Sequence, residues 1–310
     1  MDRKKTQSRI RGCYIPLPTL FRDDDLELNL PGMRRHVRFL LDGGVREGNG
    51  VLLVCGAAGE FTTLTTDERL HIAAAVLDEA GDKVSVILGA QGTSPRELHA
   101  LARGASRLGV VALQVSPPFY HVHTDDDVYE FMEALAGAAD IGLVFYTTYW
   151  QYRLSMELIG RVLELPGVVA LKLAAASVLD FERSLRLFAG RTMVIDNQLD
   201  FVRSHMLGGQ GINVHPSNYW PQWGIRLWEL LEAKHYLEAQ QQMTRAIAPY
   251  YDLASDIEKY TGGEGHLDKL CLELVGLDSS RCRPPIRDIR PRFREAARQM
   301  LRDCGVPGVT

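Results

Sequence analysis

Short, continuous apolar runs recur along the chain, and a segment with helix-forming residues follows each of them. The runs are rich in β-branched residues and lack the alternation of a half-exposed strand, as in 51–54 and 84–88. Continuous runs of this kind are typical of parallel strands that are covered on both faces. The number of residues between successive runs suits a strand followed by a helix. The eight runs begin near Cys13, Val51, Val84, Val110, Ile141, Val168, Met193 and Gly211.

Helix start and stop signals fill the intervals between these runs. Thr66-Asp67-Glu68 opens one predicted helix and Gly81 closes it, and Ser94-Pro95 begins another with a capping serine and a first-turn proline. Eight strands that alternate with helices predict an α/β protein with a (β/α)8 TIM barrel over residues 12–222. An open doubly wound sheet is the alternative, but its fingerprint G-x-G-x-x-G is missing after the first strand.

The two ends of the chain differ from the barrel pattern. Residues 223–310 carry helical patterns without strands between them, and arginines crowd the end of the stretch. We therefore expect C-terminal helices packed on the barrel, with a solvated basic face. Residues 1–11 are basic and polar and contain no apolar core of a signal peptide, so they are predicted to form a disordered tail.

Composition narrows the class of protein. The net charge is −4, which argues against nucleic acid or an anionic membrane as a partner. No stretch of about 18 apolar residues occurs, so no membrane span is expected. The five cysteines are scattered and form no C-x-x-C pair, which predicts a reducing, cytoplasmic location and no zinc site.

One lysine stands out among the basic residues. Of the 35 basic residues 28 are arginine and seven are lysine, and Lys172 alone lies inside a strongly apolar run, 168–176. Burial lowers the pKa of an amine and frees it as a nucleophile, which is the chemistry of a lysine that forms a Schiff base with a ketone. The alternative is a buried lysine–carboxylate pair, although no acidic residue lies within the run.

Two further strand ends carry candidate chemistry, because the active site of a barrel lies at the carboxyl ends of its strands. Gly56-Ala57-Ala58-Gly59 turns directly after an apolar run, and its backbone N–H groups could bind a carboxylate; a plain connecting turn is the alternative. Tyr146 ends the run 141–146, where a phenol can relay protons. A packing tyrosine with a satisfied hydroxyl is the alternative there.

Taken in order, these motifs resemble the dihydrodipicolinate synthase / N-acetylneuraminate lyase family of class I pyruvate-type aldolases. The resemblance spans roughly residues 14–251. The motifs that carry it are Pro18-Thr19-Leu20-Phe21, Gly56-Ala57-Ala58-Gly59-Glu60, Leu64-Thr65, Glu68-Arg69, Ser116-Pro117-Pro118-Phe119-Tyr120, Tyr146, Leu171-Lys172, Gly208-Gly209-Gln210-Gly211 and Asn218. It implies a TIM barrel with C-terminal helices, no cofactor and no metal, and a homotetramer arranged as a dimer of dimers.

The resemblance also implies roles for individual residues. Lys172 matches the Schiff-base lysine, and Tyr146 matches the tyrosine that moves protons to and from the substrate. Tyr120 matches a tyrosine that reaches into the active site of a neighbouring subunit. The remaining matches concern substrate binding: Ala57 and Ala58 hold the pyruvate carboxylate, and Asn213 approaches the same ligand.

The chain departs from the family pattern at two places. Ala57 and Ala58 replace a pair of hydroxyl residues, so the backbone donors remain while the hydroxyl links of the proton relay are gone. The segment 147–153 lacks the family's asparagine, proline and substrate-gripping arginine, and Arg153 could substitute only if the loop rearranges. Its aromatic residues, Tyr149, Trp150 and Tyr152, predict either a reshaped pocket or a packed or subunit-contact loop.

These features lead to a function hypothesis with alternatives. We expect a class I lyase that acts on pyruvate or another 2-oxo acid with a small aldehyde partner, and not a true dihydrodipicolinate synthase. One alternative is a Schiff-base sugar-acid dehydratase, and another is a non-catalytic barrel that binds a keto acid. His121 and His123 lack the further ligands that a metal site needs, and His215 sits near a strand end where it could touch substrate.

Overall fold

Eight parallel strands close into a barrel in the computed structural model, which describes residues 2–151 and 153–310. Each strand pairs with the next, and the first pairs with the last. This confirms the predicted (β/α)8 TIM barrel and excludes the open doubly wound sheet. The strands are β1 (Gly12–Pro16), β2 (Gly50–Val54), β3 (Ser85–Gly89), β4 (Ala112–Val115), β5 (Gly142–Tyr146), β6 (Val168–Leu173), β7 (Met193–Asp196) and β8 (Gly211–Asn213).

Helices surround the barrel and extend beyond it. Thr65 and Ser94 cap two of them through hydrogen bonds to backbone amides three residues on, which satisfies donors that a helix start leaves free. The helices are α1 (Arg3–Arg9), α2 (Leu30–Asp42), α3 (Thr66–Ala80), α4 (Pro95–Leu108), α5 (Asp125–Ala136), α6 (Met156–Leu163), α7 (Val178–Phe188), α8 (Phe201–Met206), α9 (Pro221–Glu232), α10 (Tyr236–Glu258), α11 (His266–Leu274) and α12 (Arg290–Cys304).

The amino-terminal segment is ordered, so the predicted disordered tail over 1–11 is wrong for its described residues. Helix α1 lies against β6, where Gln7 donates a hydrogen bond to the Val169 carbonyl at 2.8 Å. Ile10 follows the helix and is fully buried among side chains of the barrel interior, including Tyr14 and Ile87. The segment therefore closes the amino-terminal end of the barrel with one apolar side chain. A single apolar residue forms no pattern, so nothing in the sequence indicated this contact.

The C-terminal helices begin one element later than the predicted division at residues 222 and 223. That division falls inside α9, which packs against β1 and completes the ring of barrel helices. Helices α10, α11 and α12 then pack on one another and on the end of the barrel. None of the helices in the described part of the chain is long and apolar enough to cross a membrane.

Buried charges join the C-terminal helices to the barrel. Lys269 on α11 is fully buried and forms an ion pair with the buried Glu60, which follows β2. The same Glu60 carboxylate accepts a hydrogen bond from the Arg283 backbone amide at 2.9 Å. The side chain of Arg283 contacts Glu68, and that of Arg290 contacts Asp23. Some arginines of the C-terminal region therefore bind carboxylates of the barrel, whereas the sequence predicted a solvated basic face.

Candidate active site

The carboxyl ends of the strands enclose a small cavity of about 60 Å³. Five of the six residues that the sequence matched to family roles line it together: Lys172, Tyr146, Ala57, Ala58 and Asn213. The remaining walls come from β1, β2 and β4, from the segments after β7 and β8, and from the C-terminal region. These lining residues are Pro16, Leu53, Gln114, Asn197, His215, Tyr251 and Glu264.

Lys172 lies near the end of β6 with its side chain buried between aromatic rings. Its Nζ is 4.6 Å from the ring centre of Tyr146 and 5.0 Å from that of Tyr14. Burial lowers the pKa of this amine to about 7, and the charge of Glu264 opposes the shift. A large share of the amine is therefore neutral, and nucleophilic, near neutral pH.

The buried ion pair that offered an alternative explanation is found at a different lysine. Within the part of the chain that the structure describes, no carboxylate lies within ion-pair distance of the Lys172 Nζ, whereas Lys269 pairs with Glu60. Both lysines are buried, yet only Lys269 has its charge compensated. A buried amine without a counter-ion is the arrangement that favours the uncharged form.

Tyr146 ends β5 and faces Lys172. Its phenolic oxygen accepts a hydrogen bond from the Asn197 side-chain amide at 2.9 Å. Burial and, to a lesser extent, the charge of Glu264 raise the pKa of Tyr146 well above its ordinary value. The phenol is therefore protonated, and because its oxygen is the acceptor from Asn197, its own proton is free to be donated into the cavity.

The turn after β2 presents backbone donors at the cavity wall. Among the described residues, no hydrogen-bond acceptor is found for the amides of Ala57 and Ala58, while the Ala57 carbonyl accepts from the Glu60 amide at 2.9 Å. Two free N–H groups at a cavity wall suit a carboxylate. Asn213, at the end of β8, adds a buried Oδ1 without a partner in the described residues.

A loop from the C-terminal region covers this turn. Gly265 has a φ of +84°, and a Cβ built on it would lie 2.2 Å from the carbonyl oxygen of Ala58. Only glycine fits such a close approach in this conformation. The contact holds the preceding residue, Glu264, at the mouth of the cavity.

His215 lines the cavity and belongs to a buried polar network that extends behind it. Its Nδ1 is 2.8 Å from Oδ2 of Asp268, and the Tyr250 hydroxyl donates to the other carboxylate oxygen at 2.9 Å. Asp268 is fully buried on α11. The network ties the segment after β8 to two C-terminal helices.

Tyr120 lies outside the cavity of its own chain. Its side chain is 90% exposed, and its backbone has a φ of +90°, which is unusual for a residue other than glycine. It stands on the loop between β4 and α5, with its ring 4.8 Å from that of His121. Within its own subunit the structure therefore does not bring Tyr120 together with Lys172 and Tyr146.

Among its described residues, the aromatic loop after β5 contacts the site through Trp150. The Trp150 ring packs edge-to-face against Tyr146 at 5.7 Å, and more than half of it is exposed. Tyr152 lies outside the described residues. Arg153 lines a second cavity, of about 170 Å³, together with Tyr149 and Asp180, and not the one that contains Lys172.

Several site residues were missed in the sequence, and only one of them carried a usable signal. Asn197 is the first residue after β7, so a search of strand ends such as the one that found Lys172 and Tyr146 would also have found it. Glu264 and Asp268 lie far along the chain in the C-terminal region, and no spacing in the sequence connects them with the barrel. Their role depends on how the C-terminal helices dock.

The fold and cavity define a TIM barrel with a strand-embedded lysine at its carboxyl-end site. The chain belongs to the Dihydrodipicolinate synthetase family, whose sequence profile matches residues 10–303. Members of this family are class I pyruvate aldolases and lyases. The family resemblance seen in the sequence is thus confirmed over nearly the whole chain.

Two distant relatives align with nearly the whole chain. The chain is 25% identical over 303 residues to a 4-hydroxy-tetrahydrodipicolinate synthase of Methylococcus capsulatus, which covers 96% of this chain and 99% of that protein. It is also 25% identical to an N-acetylneuraminate lyase of Clostridium perfringens, over 94% of this chain and 98% of that one. Both relatives are lyases, and their names give different reactions.

A solved structure shows the same fold. YagE, a prophage protein of the dihydrodipicolinic acid synthase family from E. coli K12 crystallised in complex with pyruvate, aligns with a TM-score of 0.84 and 21% identity. The alignment covers 96% of this chain and 99% of YagE. At this identity the likeness establishes the barrel with its C-terminal helices.

Proposed function

We propose that the protein is a class I lyase that forms an imine between Lys172 and pyruvate or another 2-oxo acid. The iminium loses a proton to give an enamine, which forms a carbon–carbon bond with a small aldehyde. In the reverse direction the same bond is broken and the aldehyde is released. The observation that carries the proposal is the buried Lys172 amine, whose pKa is lowered to about 7 and which has no ion-pair partner in the described residues. The pyruvate bound by YagE, which has the same fold, supports this substrate class.

The chemistry begins with addition of the neutral amine to the ketone carbon. The carbinolamine loses water to give an iminium, which draws electrons from the neighbouring carbon and lowers the cost of removing its proton. Tyr146 lies beside the amine and carries a phenolic proton, so it is the group placed to donate a proton to a developing oxygen. Asn197 fixes the direction of that phenol.

Substrate orientation rests on backbone donors. The free amides of Ala57 and Ala58 bind the carboxylate of the 2-oxo acid, and Asn213 offers a side-chain amide from the end of β8. The cavity of about 60 Å³ suits a three-carbon acid and requires opening or a side entrance for the aldehyde. None of its lining residues is an arginine, which opposes a second carboxylate substrate of the dihydrodipicolinate type.

Reductive trapping tests the proposal. Incubation with pyruvate and cyanoborohydride, followed by peptide mass mapping, is expected to place one reduced pyruvate adduct on Lys172. Lys269 is the internal control, because it is equally buried but held in an ion pair. A protein that traps neither pyruvate nor longer 2-oxo acids on Lys172 contradicts the proposed function.

Dehydration of a sugar acid through the same lysine is a second candidate. The observation that favours it is the polar wall of the cavity, where amide, imidazole and carboxylate groups suit a polyhydroxy acid: Gln114, Asn197, Asn213, His215 and Glu264. Product analysis with 2-keto-3-deoxy sugar acids separates the two reactions. An aldolase releases pyruvate from them, and a dehydratase releases water and keeps the carbon chain intact.

We also propose a homotetramer, arranged as a dimer of dimers, in which Tyr120 reaches the site of a neighbouring subunit. Its 90% exposure and its left-handed backbone support a residue that is held outward for such a contact. Light scattering gives the oligomeric state, and Tyr120→Ala should lower activity without changing the fold of the subunit. All five cysteines are free and buried, which supports a cytoplasmic location.

A further inference from the structure

The active-site cavity contains an imidazole that the mechanism above does not use. His215 lines the cavity with Lys172 and Tyr146, and it stands where the chain leaves β8. Its Nδ1 faces the buried carboxylate of Asp268 at 2.8 Å, and the Tyr250 ring stacks on the imidazole with ring centres 5.6 Å apart. The ring is therefore fixed in place by two C-terminal helices.

The second ring nitrogen of His215 is available to the cavity. No hydrogen bond to Nε2 from any residue in 2–151 or 153–310 is present, while Nδ1 is occupied by Asp268. Asp268 is fully buried and does not line the cavity, whereas His215 does. The Nε2 edge is thus the polar edge that a bound ligand can reach.

We propose that His215, oriented by Asp268, is the acid–base residue that carries protons during imine formation, in place of the hydroxyl pair that Ala57 and Ala58 do not provide. This inference rests on the proposed Schiff-base function. The need for such a group follows from the chain itself. Tyr146 is held by the amide of Asn197, which donates a hydrogen bond but cannot pass a proton onward.

The proton balance of the step is simple. The imidazolium gives its Nε2 proton to the hydroxyl of the carbinolamine on Lys172, and the carbon–oxygen bond breaks. The nitrogen lone pair forms the C=N bond, so water and an iminium result. His215 is left neutral, with its Nδ1–H donated to the Asp268 carboxylate, and in the reverse direction it takes the proton back.

The charges around His215 keep the imidazolium accessible near neutral pH. Burial disfavours the charged form, but the Asp268 carboxylate outweighs it, so the pKa of His215 is raised above 6.5. Glu264, from the loop before α11, acts in the same direction, and Lys172 on β6 acts against it. From α10, the hydroxyl of Tyr250 lies 3.4 Å from Nδ1 and the Tyr251 ring meets the imidazole edge-on, 6.3 Å away.

The test is the pH profile of imine formation, measured as the initial rate of reductive trapping of pyruvate from about pH 5 to about pH 9. The trapping rate of the parent protein should follow a bell-shaped pH profile. The rate rises as Lys172 loses its proton, and it falls as the His215 imidazolium loses its own. His215→Gln should lose the alkaline limb and slow by at least about tenfold, within the range for general acid–base catalysis. Asp268→Asn should move that limb to lower pH.

A matched control and an independent measurement accompany these variants. His205 also contacts a carboxylate, Glu232, at 3.1 Å, but it does not line the cavity, so His205→Gln should keep the parent profile. NMR titration of the His215 ring in the unmodified protein should give a midpoint that coincides with the alkaline limb. This measurement holds even if a variant at the buried network fails to fold.

The outcomes separate the two proposals. A parent protein that traps pyruvate, together with a folded His215→Gln variant that keeps the parent rate and both limbs, overturns the role of His215 alone. A ring midpoint that departs from the alkaline limb overturns it as well. A parent protein that traps no 2-oxo acid on Lys172 overturns the proposed function, and the role of His215 with it.

Discussion

Asn197 donates a hydrogen bond from its side-chain amide to the phenolic oxygen of Tyr146 at 2.9 Å. This contact fixes the direction of the phenol, and Nζ of Lys172 lies over the same ring, 4.6 Å from its centre. An amide in this position gives the tyrosine a fixed direction but no route for a proton. The site therefore combines a buried amine with a phenol that a neutral amide holds in place.

The first prediction concerns this hydrogen bond. Asn197→Ala should slow reductive trapping of pyruvate by about tenfold to a hundredfold, because loss of a buried hydrogen bond costs about 1–3 kcal/mol. Tyr146→Phe removes the other partner. In a double-mutant cycle the two effects should be less than additive, and full additivity would show that the contact does not matter for the reaction.

The pH dependence of the amine gives the second prediction. Burial lowers the pKa of Lys172 to about 7, so the rate of trapping should rise as the pH passes through about 7. Glu264 favours the charged amine, so Glu264→Gln should move this rising limb to lower pH. Glu258→Gln removes an equal charge from the exposed end of α10 and should leave the limb unchanged. If the rising limb stays in place in Glu264→Gln, the charge of Glu264 does not influence the pKa of Lys172.

The third prediction tests the loop that covers the turn after β2. Gly265→Ala forces a side chain into a left-handed backbone position and against the Ala58 carbonyl, so it should destabilise the fold by about 1–3 kcal/mol and weaken pyruvate binding. Gly262→Ala is the control, because a Cβ there meets no atom within 4 Å. Thermal unfolding and calorimetric titration with pyruvate measure both effects. Equal behaviour of the two variants would mean that the loop does not pack on the site.

The amino-terminal segment provides the fourth prediction. Ile10 is fully buried in the barrel interior, so Ile10→Ala should lower the free energy of unfolding by about 2–5 kcal/mol. Lys4→Ala, at an exposed position of α1, should be close to neutral. Urea unfolding compares the two variants. An Ile10→Ala variant as stable as the parent would restore the original expectation of a disordered tail.

The barrel was predictable because its signal is repeated. Continuous apolar runs and helix caps recur along the chain, and a single weak run, such as that of β8, is supported by the seven others. Lys172 and Tyr146 were predictable for a related reason: a polar residue at the end of a buried strand conflicts with the local pattern. Such conflicts are expected at functional sites.

The rest of the site could not be predicted because it depends on contacts between distant parts of the chain. Asp268 and Glu264 come to the barrel only when the C-terminal helices dock, and their local sequence is that of an ordinary helix start. The burial of Lys269 could not be predicted for the same reason. This lysine lies outside any strongly apolar run, yet docking buries it completely against Glu60.

A crystal structure of the protein soaked with pyruvate tests the central claim most directly. The account predicts continuous electron density from Nζ of Lys172 to the ketone carbon, with the carboxylate on the amides of Ala57 and Ala58. The Tyr146 hydroxyl should remain hydrogen-bonded to the Asn197 side-chain amide. Pyruvate bound without a covalent link to Lys172, or a cavity that stays empty at saturating pyruvate, would contradict it.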